Sequence, residues 1–149
     1  MPLTKRVLVV DDDATIRELL GSVLKNRDLV IDLAADGREA LDLLKQHSYS
    51  VVLLDLLMPN VDGFGVLAGL DTSLSLPVVL VITGAERSLL RHLDPHKIHG
   101  VVNKPFDAED LADLVVACAE IKSRSAFETM AISAMIAGGP FWAWLNRLS

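Results

Sequence analysis

Cysteine occurs once in the 149 residues, and that scarcity excludes two architectures at once. A lone Cys118 cannot close an internal disulfide, nor can it build a thiolate cage for a metal. It sits in LVVACAE, an apolar stretch at helical spacing, and reads as a buried, inert thiol. Basic charge is also short, since 14 Lys and Arg against 20 Asp and Glu leave a formal charge of −6. The chain therefore lacks the basic footprint of a nucleic-acid binder. A secretory signal is missing too, because the short apolar run of MPLTKRVLVVDDD soon meets three aspartates. A cytoplasmic location is the expectation. The one stretch long enough to raise a membrane span, AFETMAISAMIAGGPFWAWL, contains Glu128 and a Gly138-Gly139-Pro140 break and runs into Asn146-Arg147. Those interruptions argue against a span.

What remains is 51% hydrophobic and 23% charged, the profile of one globular domain with its own core and little left over. Short apolar runs alternate with longer periodic segments. RVLVV (6–10), LVIDLA (29–34), VVLLD (51–55), PVVLVIT (77–83) and HGVVN (99–103) read as strands. Between and after them, helices are predicted over 15–26, from Arg38 to His47, near 64–71, near 86–93 and through DAEDLADLVVACAEIK, with Asp107 as N-cap of the last. Asp36-Gly37 marks a turn before the second helix. Five β-α units with apolar strands predict an α/β fold, a doubly wound parallel sheet covered on both faces.

VVLLDLLM (51–58) poses the functional question, because it sets the carboxylate of Asp55 among seven apolar residues. A bare charge there is costly unless it is paired, protonated or metal-bound. In a doubly wound sheet the loops at the carboxyl ends of the strands make the site. Asp11, Asp12, Asp55, Thr83 and Lys104 all fall at or just after strand ends, so they converge on one sheet edge. Clustered carboxylates raise one another's pKa unless a cation is present, and a partial set of oxygen ligands suits Mg²⁺. Lys104 adds an ammonium, Thr83 a hydroxyl, and Gly84 a backbone N–H with no side chain in the way. Cation, ammonium and hydroxyl around one carboxylate form a pocket for a phosphoryl group, and a carboxylate can be the nucleophile that accepts one.

VVDDD, LLDLLMPNVDG, VITGA and NKPF, in that order, resemble the response-regulator receiver domain of two-component signalling over roughly residues 5 to 121. The resemblance implies a flavodoxin-like sheet of order 2-1-3-4-5. It also implies that Asp55 accepts a phosphoryl group from a histidine kinase or phosphotransfer protein. Asp12, Asp55 and the Leu57 backbone carbonyl would ligate Mg²⁺, with Asp11 nearby and often acting through water. Thr83, Lys104 and the Gly84 backbone would meet the phosphoryl oxygens, and Lys104-Pro105 would be a cis peptide.

Other residues take plainer readings. Asp13 is a helix cap, while Asn60 and Asp62 are turn formers beside Gly63. Gly63-Phe-Gly65-Val-Leu-Ala68 matches a dinucleotide pattern in letters only, since it follows a loop and no acidic residue stands at the end of the next strand. His92, His96 and His99 lack ligand spacing. Two features depart from the family. Val101 stands where an aromatic is usual, so signalling through helix 4 or helix 5 is expected instead. Residues 122–149 are too short for a typical DNA-binding output domain, with only Lys122, Arg124 and Arg147 basic. Phe127, Met130, Ala131, Ala134 and Met135 recur there at helical spacing, and Phe141, Leu145 and Leu148 repeat the pattern. Domains are thus expected at 1–121 (receiver) and 122–149 (apolar helical extension), the extension folding back on its own domain, holding a partner protein or, as the favoured reading, pairing with a second copy in a homodimer.

The expected function is a phosphorylation switch that signals by contact with a downstream protein, without an effector enzyme, nucleic-acid partner or membrane. The alternative is a phosphorylation-independent interaction module, against which the intact Asp12, Asp55, Thr83 and Lys104 set argues. An aspartyl phosphatase or phosphomutase would need a second carboxylate after Asp55, and Leu56-Leu57 offers none.

Overall fold

In the computed structural model, residues 5–71, 76–84 and 87–122 are described, Arg87 for its backbone alone. Strands β1 (Arg6–Val10), β2 (Val30–Ala34), β3 (Val51–Leu54), β4 (Val78–Thr83) and β5 (Gly100–Asn103) alternate with helices α1 (Ala14–Lys25), α2 (Gly37–Gln46), α3 (Gly63–Ala68), α4 (Arg87–Leu90) and α5 (Ala108–Lys122). All pairings are parallel and the order is 2-1-3-4-5, as expected from the motifs. The anticipated C-terminal extension lies outside the described residues apart from Lys122, the last residue of α5.

The central strands are apolar throughout because both of their faces are covered. Alternate residues divide between two cores. Leu8, Val10, Val52, Leu54, Val79 and Val81 pack with Ala40 of α2 and Val66 and Leu67 of α3. Val7, Val9, Leu53, Leu80 and Ile82 pack with Leu20 and Leu24 of α1 and Leu111, Val115 and Cys118 of α5. Burial pushes the Cys118 thiol up to about 12, which makes it the inert packing group expected.

Aspartates set the starts of α1, α2, α3 and α5. Asp13 accepts from Thr15 N–H at 2.9 Å, Asp36 from Glu39 N–H at 2.8 Å, Asp62 from Gly65 N–H at 2.9 Å and Asp107 from Asp110 N–H at 2.9 Å. Asp62 is thus a cap as well as a turn former. Helix α4 is a single turn, shorter than expected from 86–93; 3₁₀-like bonds from His92 and Leu93 to the carbonyls of Leu89 and Leu90 take over before Pro95. The scattered histidines bind one another nowhere in the described residues. His99 instead accepts the Val79 N–H on Nδ1 at 3.1 Å, substituting for a strand carbonyl.

A polar network that the periodicity did not reveal secures the edge strand. Tyr49 donates its hydroxyl to Asp32 Oδ2 at 2.6 Å, and Arg6 donates to the same oxygen at 2.9 Å. Burial raises the Asp32 carboxyl, but the Tyr49 and Arg6 hydrogen bonds outweigh it and hold it below the usual carboxylate range. A depressed carboxyl stabilises the fold above the ordinary value near pH 4 and loses that contribution as pH falls through the lowered one. Tyr49→Phe is therefore expected to destabilise by about 1–2 kcal/mol at neutral pH. Urea melts from pH 7 to pH 3 should show that deficit shrinking in acid.

Candidate functional site at the carboxyl edge of the sheet

Asp11 follows β1 and Asp55 follows β3, and the sheet ladder continues far enough to hold both backbones. Asp11 N–H donates to Ala34 O at 3.1 Å, and Asp55 N–H donates to Val10 O at 2.9 Å. Both residues are buried, at 3% and 5% exposure, while Asp12 is exposed. One carboxylate oxygen from each of Asp11, Asp12 and Asp55 falls within 4.8 Å of the others. Lys104, just past β5, reaches into this group. Its Nζ lies 2.9 Å from Asp11 Oδ2 and 3.4 Å from Asp55 Oδ2. Its backbone N–H donates to the Thr83 carbonyl at 3.1 Å, and Lys104-Pro105 is cis. Thr83, which ends β4, is buried at 1% exposure. Gly84 beside it is exposed, and among the described residues a β-carbon there would meet no atom within 4 Å. Leu57, two residues past the central carboxylate, is 54% exposed.

The three acids are not equivalent. Asp11 is already engaged, with Oδ1 accepting Asp13 N–H at 2.9 Å and Oδ2 paired to Lys104. Arg17 donates to the Asp11 carbonyl at 2.7 Å, a support from α1 that the sequence pattern did not disclose. Asp12, facing solvent, has its oxygens available to an incoming cation. Burial, and then the neighbouring Asp11 charge, push the Asp55 carboxyl up to about 6 despite the opposing pull of Lys104 and a hydrogen bond from Leu57 N–H. Burial alone would lower the Lys104 ammonium; the hydrogen bond and charge of Asp11, with Asp55 behind them, leave it raised. A strained carboxylate beside an exposed one, all-oxygen and only partly neutralised by one lysine, fits a hard divalent cation that keeps some of its waters.

The family model for the response regulator receiver domain matches residues 7–116. The chain belongs to this family. As a receiver it is 32% identical over 126 residues to a probable transcriptional regulator, ycf27, of Guillardia theta, covering 84% of this chain and 49% of that protein. It is 40% identical over 137 residues to protein-glutamate methylesterase/protein-glutamine glutaminase 1 of Caulobacter vibrioides, covering 85% of this chain and 39% of the relative. The receiver chain thus spans half or less of the length of these curated relatives. Among solved structures, response regulator TrrA from Thermotoga maritima is similar at 30% identity and a TM-score of 0.67, over 77% of this chain and 99% of that one. A CheY-like receiver from Methanospirillum hungatei aligns with a TM-score of 0.74 at 20% identity, over 81% and 98% of the two chains, a likeness of fold.

An aspartate raised to about 6 costs the receiver stability when ionised, and that cost vanishes as pH falls toward its unfolded value near 4. Without divalent cations, Asp55→Asn is expected to be more stable than wild type by about 2–3 kcal/mol at pH 8. The advantage should disappear near pH 4, as thermal melts at the two pH values would show.

Proposed function

We propose that this receiver accepts a phosphoryl group on Asp55 from a histidine kinase or phosphotransfer protein, with Mg²⁺ as cofactor, and signals through protein–protein contact. The observation carrying the reading is the gathering of Asp11, Asp12, Asp55 and Lys104 from three different strands onto one edge of the sheet. An Asp55 carboxylate oxygen attacks the phosphorus, a P–O bond forms, and the P–N bond to the donor imidazole breaks with its electron pair returning to the ring. Asp12, Asp55 and the Leu57 carbonyl would hold Mg²⁺, with Asp11 behind them. When bound, the ion neutralises charge on the phosphoryl oxygens. Lys104 follows those oxygens from its present position between Asp11 and Asp55, and the Thr83 hydroxyl and Gly84 N–H complete the cradle. The TrrA structure at 30% identity is a complex with Mg²⁺ and BeF, which supports an equivalent occupancy here.

The reading assigns residues 1–121 to the receiver and 122–149 to an apolar extension that forms a homodimer seam, supported by the stripe of Phe127, Met130, Ala131, Ala134 and Met135. It makes the receiver a switch in the cytoplasm that works through contact with another protein. The Caulobacter relative carries its esterase name on a chain of which this one covers 39%. Among the described residues no helix is long and apolar enough to cross a membrane.

Incubation with acetyl phosphate and Mg²⁺ should add one phosphoryl group by intact-mass spectrometry, and none to Asp55→Asn. Lys104→Ala should slow the reaction by about 100-fold. Light scattering should show the phosphoryl adduct with a changed molar mass. A stable, folded wild type that stays unmodified with Mg²⁺ bound would favour the phosphorylation-independent module.

A further inference from the structure

The loop between β3 and α3 carries Leu57 past the central carboxylate, and the start of α2 holds that loop from outside. Gly37 is the first residue of α2, so its N–H has no partner within the helix. It donates instead to the Val61 carbonyl at 2.9 Å. The approach is closer than any side chain permits, because a β-carbon on Gly37 would lie 2.1 Å from Val61 O and 2.7 Å from Val61 C. Both are backbone atoms, so no rotamer change relieves the clash. Either the helix or the loop must move.

The neighbouring contacts bind the same two segments. Asp36 caps α2 with Oδ1 and accepts from Asn60 Nδ2 on Oδ2 at 3.4 Å. Asn60 itself takes a left-handed φ of 64°. At the loop's far end Gly63 N–H donates to Leu56 O at 2.9 Å, where a β-carbon would lie 2.4 Å from Asp55 O. Backbone contacts therefore run without interruption from the first turn of α2 to the phosphoacceptor.

We propose that Gly37 is a positioning residue of the cation and phosphoryl site, acting through Val61 to hold the loop so that the Leu57 carbonyl faces the ion. The inference rests on the Mg²⁺ reading above and assigns a role to an Asp-Gly pair that sequence pattern marks only as a turn. Supports of this kind, one step removed from a metal, typically change affinity 10–100-fold when broken.

The probe is Mg²⁺ alone, titrated calorimetrically into the full chain. Gly37→Ala should weaken binding by about tenfold or more in the folded protein. Gly69→Ala is the control for an added methyl as such, since its β-carbon would crowd only the movable end of the Leu41 side chain, at 2.6 Å, and its backbone is right-handed helical. It should fold as the wild type does and leave Mg²⁺ affinity unchanged. Equal affinities in wild type and Gly37→Ala would overturn the proposal and leave the metal site standing. A wild type that binds no Mg²⁺ would overturn the metal reading and the proposal together. Coupling between two sites is reciprocal, so amide exchange in the wild type tests the same link without any variant. Saturating Mg²⁺ should slow exchange at Gly37 more than at Gly69, and an equal effect at both would overturn the link.

Discussion

The crowding of like charge at the carboxyl edge of the sheet is the constraint around which the rest of this receiver is arranged. Asp11 and Asp55 are buried, and Asp12 brings a third carboxylate oxygen within 4.8 Å of theirs. Lys104 compensates only part of that charge, because one ammonium sits between two buried acids. The Asp55 carboxyl remains raised to about 6. An apolar, doubly covered sheet makes this electrostatic frustration affordable, since the strands beneath the site contribute burial on both faces. It also prevents relaxation, because the backbones of Asp11 and Asp55 are pinned into the ladder at β2 and β1.

That stiffness differs from one side of the site to the other. Lys104 and Thr83 arrive on adjacent strand ends, tied together by the Lys104 N–H to Thr83 O bond. The other wall is a loop whose shape comes from close backbone contacts: Gly37 against Val61, and Gly63 against Leu56 and Asp55. Glycine is required at these two positions because a neighbouring backbone occupies the place of the β-carbon, and at Gly84 no such neighbour stands among the described residues. Val101, in register with Val81 and packed against the α2/α3 core, fills its place without the ring usual in the family.

Much of the fold was legible because hydrophobic periodicity and strand order are local or motif-borne signals. Five strands and their helices fell within a few residues of their expected places, and Asp13 and Asp107 capped as read. Helix α4 was overextended in that reading, since apolar spacing says nothing of where a chain will tighten into 3₁₀ turns ahead of a proline. The Tyr49–Asp32–Arg6 network and the Arg17 support of Asp11 were invisible because each joins residues from different elements. Likewise Asp36-Gly37 announced a turn, but nothing in the letters placed Val61 against it.

The sequence by itself determined the element order, the doubly covered sheet and the short list of acids, lysine and threonine at strand ends. These follow from apolar spacing and from the rule that such sheets place function at their carboxyl edge. Only the tertiary structure decided how the acids divide their work, with Asp11 engaged by Lys104 and Asp13, Asp12 open to solvent, and Asp55 buried and raised. The physical reason is that burial, Coulomb interaction and backbone clearance depend on distances between segments far apart in the chain. A one-dimensional pattern contains no such distances.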